Sequence, residues 1–216
     1  MAADTAVIDE ILQFIGVFVS FSIAYVSFKG VKRTESPALM RLATAFVFLG
    51  LGFMVEGLVG TGASLPFIPA ATASLVIFGL GLETTGYFFL AFSHVLDVKL
   101  SKALALPALF MFPVLTVSGS TMSDMLSILS FYFVLYGMVE TLYSYHANRK
   151  PDTLLIASGL ALMAVGIFTN WLSIMYVSVN LLPLAEILFK EMGLMLLFVP
   201  VLSYAFGKEK TKYGPI

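Results

Sequence analysis

Seven long apolar runs alternate with short polar segments along the chain: Ile8–Phe28, Ala38–Val59, Ala70–Leu96, Ala103–Gly119, Ser123–His146, Thr153–Val177 and Leu182–Phe206. A helix crosses a bilayer in about 20 residues, and the runs are of that length. In lipid, backbone groups must find their hydrogen bonds within their own segment, and the strand-like alternation of polar and apolar positions is absent. The pattern predicts an all-α, seven-transmembrane helix bundle, one integral membrane domain over residues 1–216 with a cytoplasmic tail at 207–216.

The polar segments set an expected topology. Lys29, Lys32 and Arg33 follow the first run, with Arg41 just inside the second. Lys99 and Lys102 follow the third, Arg149 and Lys150 the fifth, and Lys208, Lys210 and Lys212 the seventh. The alternate segments, Gly60–Pro69, Ser120–Met122 and Ser178–Leu181, carry no basic residue. Basic segments stay cytoplasmic, so the N-terminus is expected outside and the C-terminus inside, as in a multi-pass protein of the plasma (cytoplasmic) membrane. The first residues lack the basic region and cleavage site of a signal peptide, so the first helix is expected to be retained.

Composition narrows the function. The chain is 59% hydrophobic and 12% charged, with a mean hydropathy of +0.97. Soluble domains are about one quarter charged, so lipid is the partner this surface requires. With no cysteine, thiolate catalysis and cysteine-held metals are excluded. A net charge of −1 and the lack of any long basic stretch argue against nucleic acid. Neither a nucleophile–base arrangement nor a metal-ligand pattern is present, so the chain is not expected to be an enzyme.

The first three runs resemble the last three. Ser27-Phe28 aligns with Ser144-Tyr145, Gly52-Phe53 with Gly166-Ile167-Phe168, and Gly86 with Gly193, at offsets of 117, 114 and 107. Pro37 and Pro151 follow the basic segments of each half. A parallel 3+1+3 internal repeat follows: residues 8–96, a linker helix at 103–119 bent by Pro107 and Pro113, and residues 123–206. Parallel repeats of this kind place ligand sites near the midplane at the repeat interface. The same offsets pair Glu83 with Lys190 and Glu56 with Asn170.

Lys190 is the one basic residue deep inside an apolar run, and an ammonium there needs a partner or a wet cavity. Five carboxyl groups share the runs: Glu56, Glu83, Glu140, Glu186 and Glu191. One lysine cannot neutralise them all, and the remainder can hold protons or serve as hydrogen-bond donors between helices. Glu186 precedes Lys190 by four residues, the favourable order for pairing on one helix face. The pair can neutralise itself, or Glu83 and Glu186 can flank one ammonium. Thr84 and Thr85 either line a cavity or bond back to their own helix carbonyls. The candidate binding or proton-handling set is therefore Lys190, Glu83, Glu186, Glu56, Asn170, Thr84 and Thr85.

His94 and His146 are the only histidines, both near cytoplasmic ends of their runs, and are read as interfacial side chains rather than axial haem ligands. Lys190, Glu186 and Glu83 are similar in placement to the retinal lysine and its counterions in microbial rhodopsins, a resemblance that covers the third and seventh runs. It implies retinal bound as a Schiff base on Lys190, with His94 near the place of a cytoplasmic proton donor. The chain departs from that family in having one tryptophan, Trp171, no proline in the sixth run and no arginine in the outer third run. The 3+1+3 plan also resembles sugar transporters with a Pro-Gln motif, but the first and fifth runs hold no proline. The reading adopted is a membrane protein whose polar midplane cavity binds or transports a small polar solute or proton. A retinal photoreceptor or pump is one alternative. The other is a structural subunit of a larger, respiratory-type complex, with other membrane subunits or a cytoplasmic partner.

Overall fold

The computed structural model describes residues 2–62, 69–95, 122–175 and 182–207. These form six helices: α1 (Ala2–Thr34), α2 (Pro37–Gly62), α3 (Pro69–Val95), α4 (Met122–Asn148), α5 (Pro151–Met175) and α6 (Leu182–Gly207). Five of them, α1 to α5, contain segments long and apolar enough to cross a membrane. α6 is 26 residues long and carries Glu186, Lys190 and Glu191 within two turns. Helices of this length and composition are consistent with a multi-pass membrane protein.

Two breaks between helices share one design. Glu35 and Arg149 both adopt the left-handed conformation, each with φ of 53°. Their N–H groups bond back to the carbonyls of Val31 and Tyr145, at 2.8 and 2.7 Å. This is the left-handed cap that ends helices, and it satisfies a carbonyl that would otherwise be orphaned. Two residues later Pro37 and Pro151 open the next helix, a position where the missing N–H costs nothing. All three correspondences lie 114 residues apart. The offset of 117 expected for the first and fifth runs is thus corrected to 114. Ser27 pairs with Thr141, not Ser144, and both Ser27 and Thr141 are buried.

The helices close a ring in which each packs on its chain neighbour, α3 on α4, and α6 back on α1. α3 and α4 run parallel: Thr84 meets Ser130, and Gly137 lies against Ala91, both pairs 46 residues apart. All six helices feed the core, with Ile23, Phe46, Leu49, Tyr87, Val134, Leu160, Met163 and Leu194 fully buried. Small residues bring the backbones close, as membrane helices require. A Cβ on Gly86 would stand 2.9 Å from the Ala45 carbonyl oxygen, and one on Gly193 2.6 Å from the Gly159 carbonyl oxygen. Those contacts repeat at the same offsets, 114 for α2 to α5 and 107 for α3 to α6.

The seven-helix bundle is not what the structure shows. The expected fourth helix, Ala103–Gly119, lies outside the described residues, and the ring of six closes without it. Hydropathy counts apolar runs but does not say which of them pack around a common core. Here α3 meets α4 directly and α6 meets α1, so no ring position remains for a seventh member.

Gly193→Val should lower stability by about 1–3 kcal/mol, the cost of overpacking a close helix contact. Gly81→Ala should cost nothing, because no atom lies within 4 Å of its added Cβ. Thermal unfolding of the two variants in detergent checks both statements.

Candidate functional site

The site is built on α6. Glu186 and Lys190 lie one turn apart on the same face, and their Oε1 and Nζ atoms stand 2.9 Å apart. Lys190 Nζ also lies 3.4 Å from Glu83 Oε2 on α3. Lys190 and Glu83 are 4% and 2% exposed. The ammonium is therefore held between a carboxylate of its own helix and one from the other half of the ring.

Glycines on the preceding helices make room for both charges. A Cβ on Gly166 of α5 would fall 3.0 Å from Lys190 Cγ, and one on Gly52 of α2 would fall 2.6 Å from Glu83 Cγ. Each charged stem thus lies flat across a neighbouring backbone. Gly52 and Gly166 are 114 residues apart, Glu83 and Lys190 are 107, and the two halves present opposite charges from the same seat.

Glu56 joins the cluster from α2. Its stem packs on Gly79, its carboxyl meets that of Glu83, and Lys190 and Glu186 lie within its electrostatic reach. Glu83 Oε1, buried, meets no hydrogen-bond donor. Asn170 is half-buried on α5, one turn past Gly166. The register that sets Glu56 opposite Gly79 sets Asn170 opposite Glu186.

The two threonines face elsewhere. Thr84 donates to the Leu80 carbonyl at 2.7 Å and shares a 2.8 Å hydrogen bond with Ser130 of α4. Thr85 donates to the Gly81 carbonyl at 2.8 Å, the usual fate of a hydroxyl in an apolar helix. Neither points at Lys190: Thr84 follows Glu83 directly and so turns to the next seam. The charged groups touch one another directly. Glu140 sits apart on α4, hydrogen-bonded with Tyr136 one turn earlier. His146 is exposed in the last turn of α4, and the His94 side chain lies outside the described residues.

Residues outside the candidate set also belong here. Tyr87 is fully buried one turn along from Glu83, and its hydroxyl has no hydrogen-bond partner. Ser20 on α1 is equally buried and equally without a partner. Glu191 is 5% exposed and has no partner for either carboxyl oxygen. Only the helical spacing of Gln13, Gly16, Ser20 and Ser27 along α1 marks a polar inner face in the sequence.

These features define a membrane-type helix bundle organised around an internal ion pair. A family of unknown function, DUF7521, matches residues 10–83, which take in α1 from Glu10, all of α2, and α3 as far as Glu83. That match covers about a third of the chain and leaves Lys190 outside it. No curated protein and no solved structure matches the chain.

Removing one partner of a buried ion pair strands the other, at a cost of about 3–5 kcal/mol. Lys190→Met strands Glu83 and Glu186 together and should cost that much. Glu83→Gln should cost less, because Glu186 still holds the ammonium at 2.9 Å. The order of midpoint temperatures in detergent, wild type above Glu83→Gln above Lys190→Met, checks this.

Proposed function

We propose that this protein carries protons, or a small polar solute together with protons, across the cytoplasmic membrane. The observation that supports the reading is the place of Lys190 Nζ between Glu186 at 2.9 Å and Glu83 at 3.4 Å, one carboxylate from each half of the ring. One ammonium faces three carboxyl groups when Glu56 is included. The surplus negative charge, buried among helices, is stable only if it takes up protons or cations. Glu56 brings a second carboxyl group against Glu83. A proton moving among Glu56, Glu83 and Glu186 changes which carboxylate holds Lys190, and so couples charge to the contact between the two halves. Intramembrane chains of this kind mark proton and substrate pathways.

In this reading Lys190 is the fixed counter-charge, Glu83 and Glu186 exchange it, and Glu56 loads the proton. Asn170 orients Glu186 or a passing solute. Thr84 and Thr85 stay outside the pathway. The chain does no covalent chemistry, and lipid is its principal partner.

The test is proton flux into liposomes holding the full-length chain and an internal pH-sensitive dye. Wild type should dissipate an imposed gradient faster than protein-free liposomes. Lys190→Met and Glu83→Gln should fall to the protein-free rate, while Thr84→Val should retain flux. A wild type no faster than empty liposomes, with and without candidate solutes, would overturn the reading.

A further inference from the structure

The two halves of the ring also differ in polarity at one pair of equivalent seams. Where α3 meets α4, Thr84 bonds Ser130 at 2.8 Å, and both are buried. The offset of 107 carries Thr84 forward to Glu191, and the offset of 114 carries Ser130 back to Gly16. Those two residues meet where α6 closes on α1: the Glu191 carboxyl lies over Gly16, in space that a Cβ there would occupy. One seam thus holds two small hydroxyls that satisfy each other. The equivalent seam holds a long acid against a residue with no side chain, a swap that keeps volume but leaves polarity unmatched. Neither oxygen of Glu191 has a partner, although the residue is 5% exposed, and the Ser20 hydroxyl one turn from Gly16 has none either. A buried polar group left in this way costs about 1–3 kcal/mol, so a folded ring that keeps one calls for a reason beyond packing.

Outside the same seam runs a groove of about 450 Å³, lined by Ile11, Phe14, Ile15, Phe18, Val19, Met195 and Phe198. Every lining residue is apolar, so the approach to Glu191 from outside the ring suits lipid and not ions. The charged groups that reach Glu191 are Glu83 on α3 and Lys190 on its own helix. Beside Glu191, α1 presents Gly16 and Ser20, and Asp152 at the start of α5 is the only titratable side chain of that helix.

We infer that Glu191 is a second proton-binding carboxyl, separate from the Lys190–Glu186–Glu83 group and reached from the lipid side through the α1–α6 seam. Lys190 is already held by two carboxylates, so the neutralising partner of Glu191 is a proton. This goes beyond the transport reading and does not need it.

A hydrophobic carbodiimide, dicyclohexylcarbodiimide, tests the inference directly. A protonated carboxyl adds to it: the acid proton passes to one carbodiimide nitrogen, and the carboxyl oxygen bonds to the central carbon as one C=N π bond opens. The O-acylisourea then shifts its acyl group to nitrogen, giving a stable N-acylurea with no group lost and no change of oxidation state. The full-length protein in liposomes is treated, digested and mapped by mass spectrometry. Glu191 should be the principal labelled carboxyl of the spans, and labelling should fall by about tenfold per pH unit above its titration point. A water-soluble carbodiimide should label the exposed acids and spare Glu191. Lys190→Met, which abolishes the proposed flux, should leave Glu191 labelled, so this result and the flux result stand or fall separately. Glu191→Gln should lose the label, and the wild-type map decides even if that variant does not fold. Labelling of Glu83 or Glu56 in place of Glu191, equal labelling by both reagents, or none at Glu191 would each overturn the inference.

Discussion

An ammonium in the interior of an apolar bundle must be neutralised where it stands, and that constraint organises this ring. Lys190 cannot reach water along its own stem, because the stem lies flat on the Gly166 backbone. Its counter-charges therefore have to come to it. Glu186 does so along α6, and Glu83 does so across the ring from α3. The second contact is the demanding one. It fixes the height of α3 against α6 and hence of one half against the other, and it requires Gly52 and Gly166 to be without side chains. The glycine contacts of α2 with α3 and of α5 with α6 follow the same logic, since a shift of either helix would lift a charge off its seat.

Packing alone would not specify this arrangement. The core residues are apolar, and in lipid apolar side chains gain little from one another that acyl chains do not also offer. The closest glycine-to-backbone contacts, α2 with α3 and α5 with α6, operate within each half. Between the halves the described polar contacts are the Lys190–Glu83 pair and the hydrogen bonds of Thr84 to α4. Buried polar pairs of this kind are well placed to set register, even where their net contribution to stability is small.

The helices, the offsets of 114 and 107 and the pairing of Glu83 with Lys190 could be read from the sequence because each leaves a local mark. Apolar runs, Gly spacing and a lone lysine are one-dimensional features. The ring was not legible, because a hydropathy count weights Ala103–Gly119 like any other run and is silent on which runs share a core. The direction of Thr84 was not legible either. Adjacent positions on a helix differ by 100°, so Glu83 and Thr84 face different neighbours, and only the ring says which. Glu191 was visible as one of five acids, but its lack of a partner depends on Gly16, a residue 175 positions away.

The departures from symmetry fall where the polar chemistry lies. A faithful repeat would place a carboxylate at position 190, facing Glu83 across the ring. At about 4 Å and an effective dielectric constant near 20, two such charges would repel by about 4 kcal/mol, and a lysine turns the same geometry into an attraction of similar size. The change to lysine lets the two halves close. It also leaves one ammonium buried among the described residues, onto which Glu186 adds a negative charge where the first half has only Gly79. The Gly79-to-Glu186 change therefore restores the surplus of acid that the lysine had cancelled, and does so one turn away on the same helix. Structure alone needs the first change; the second gives the one ammonium another carboxylate, 2.9 Å away on its own helix.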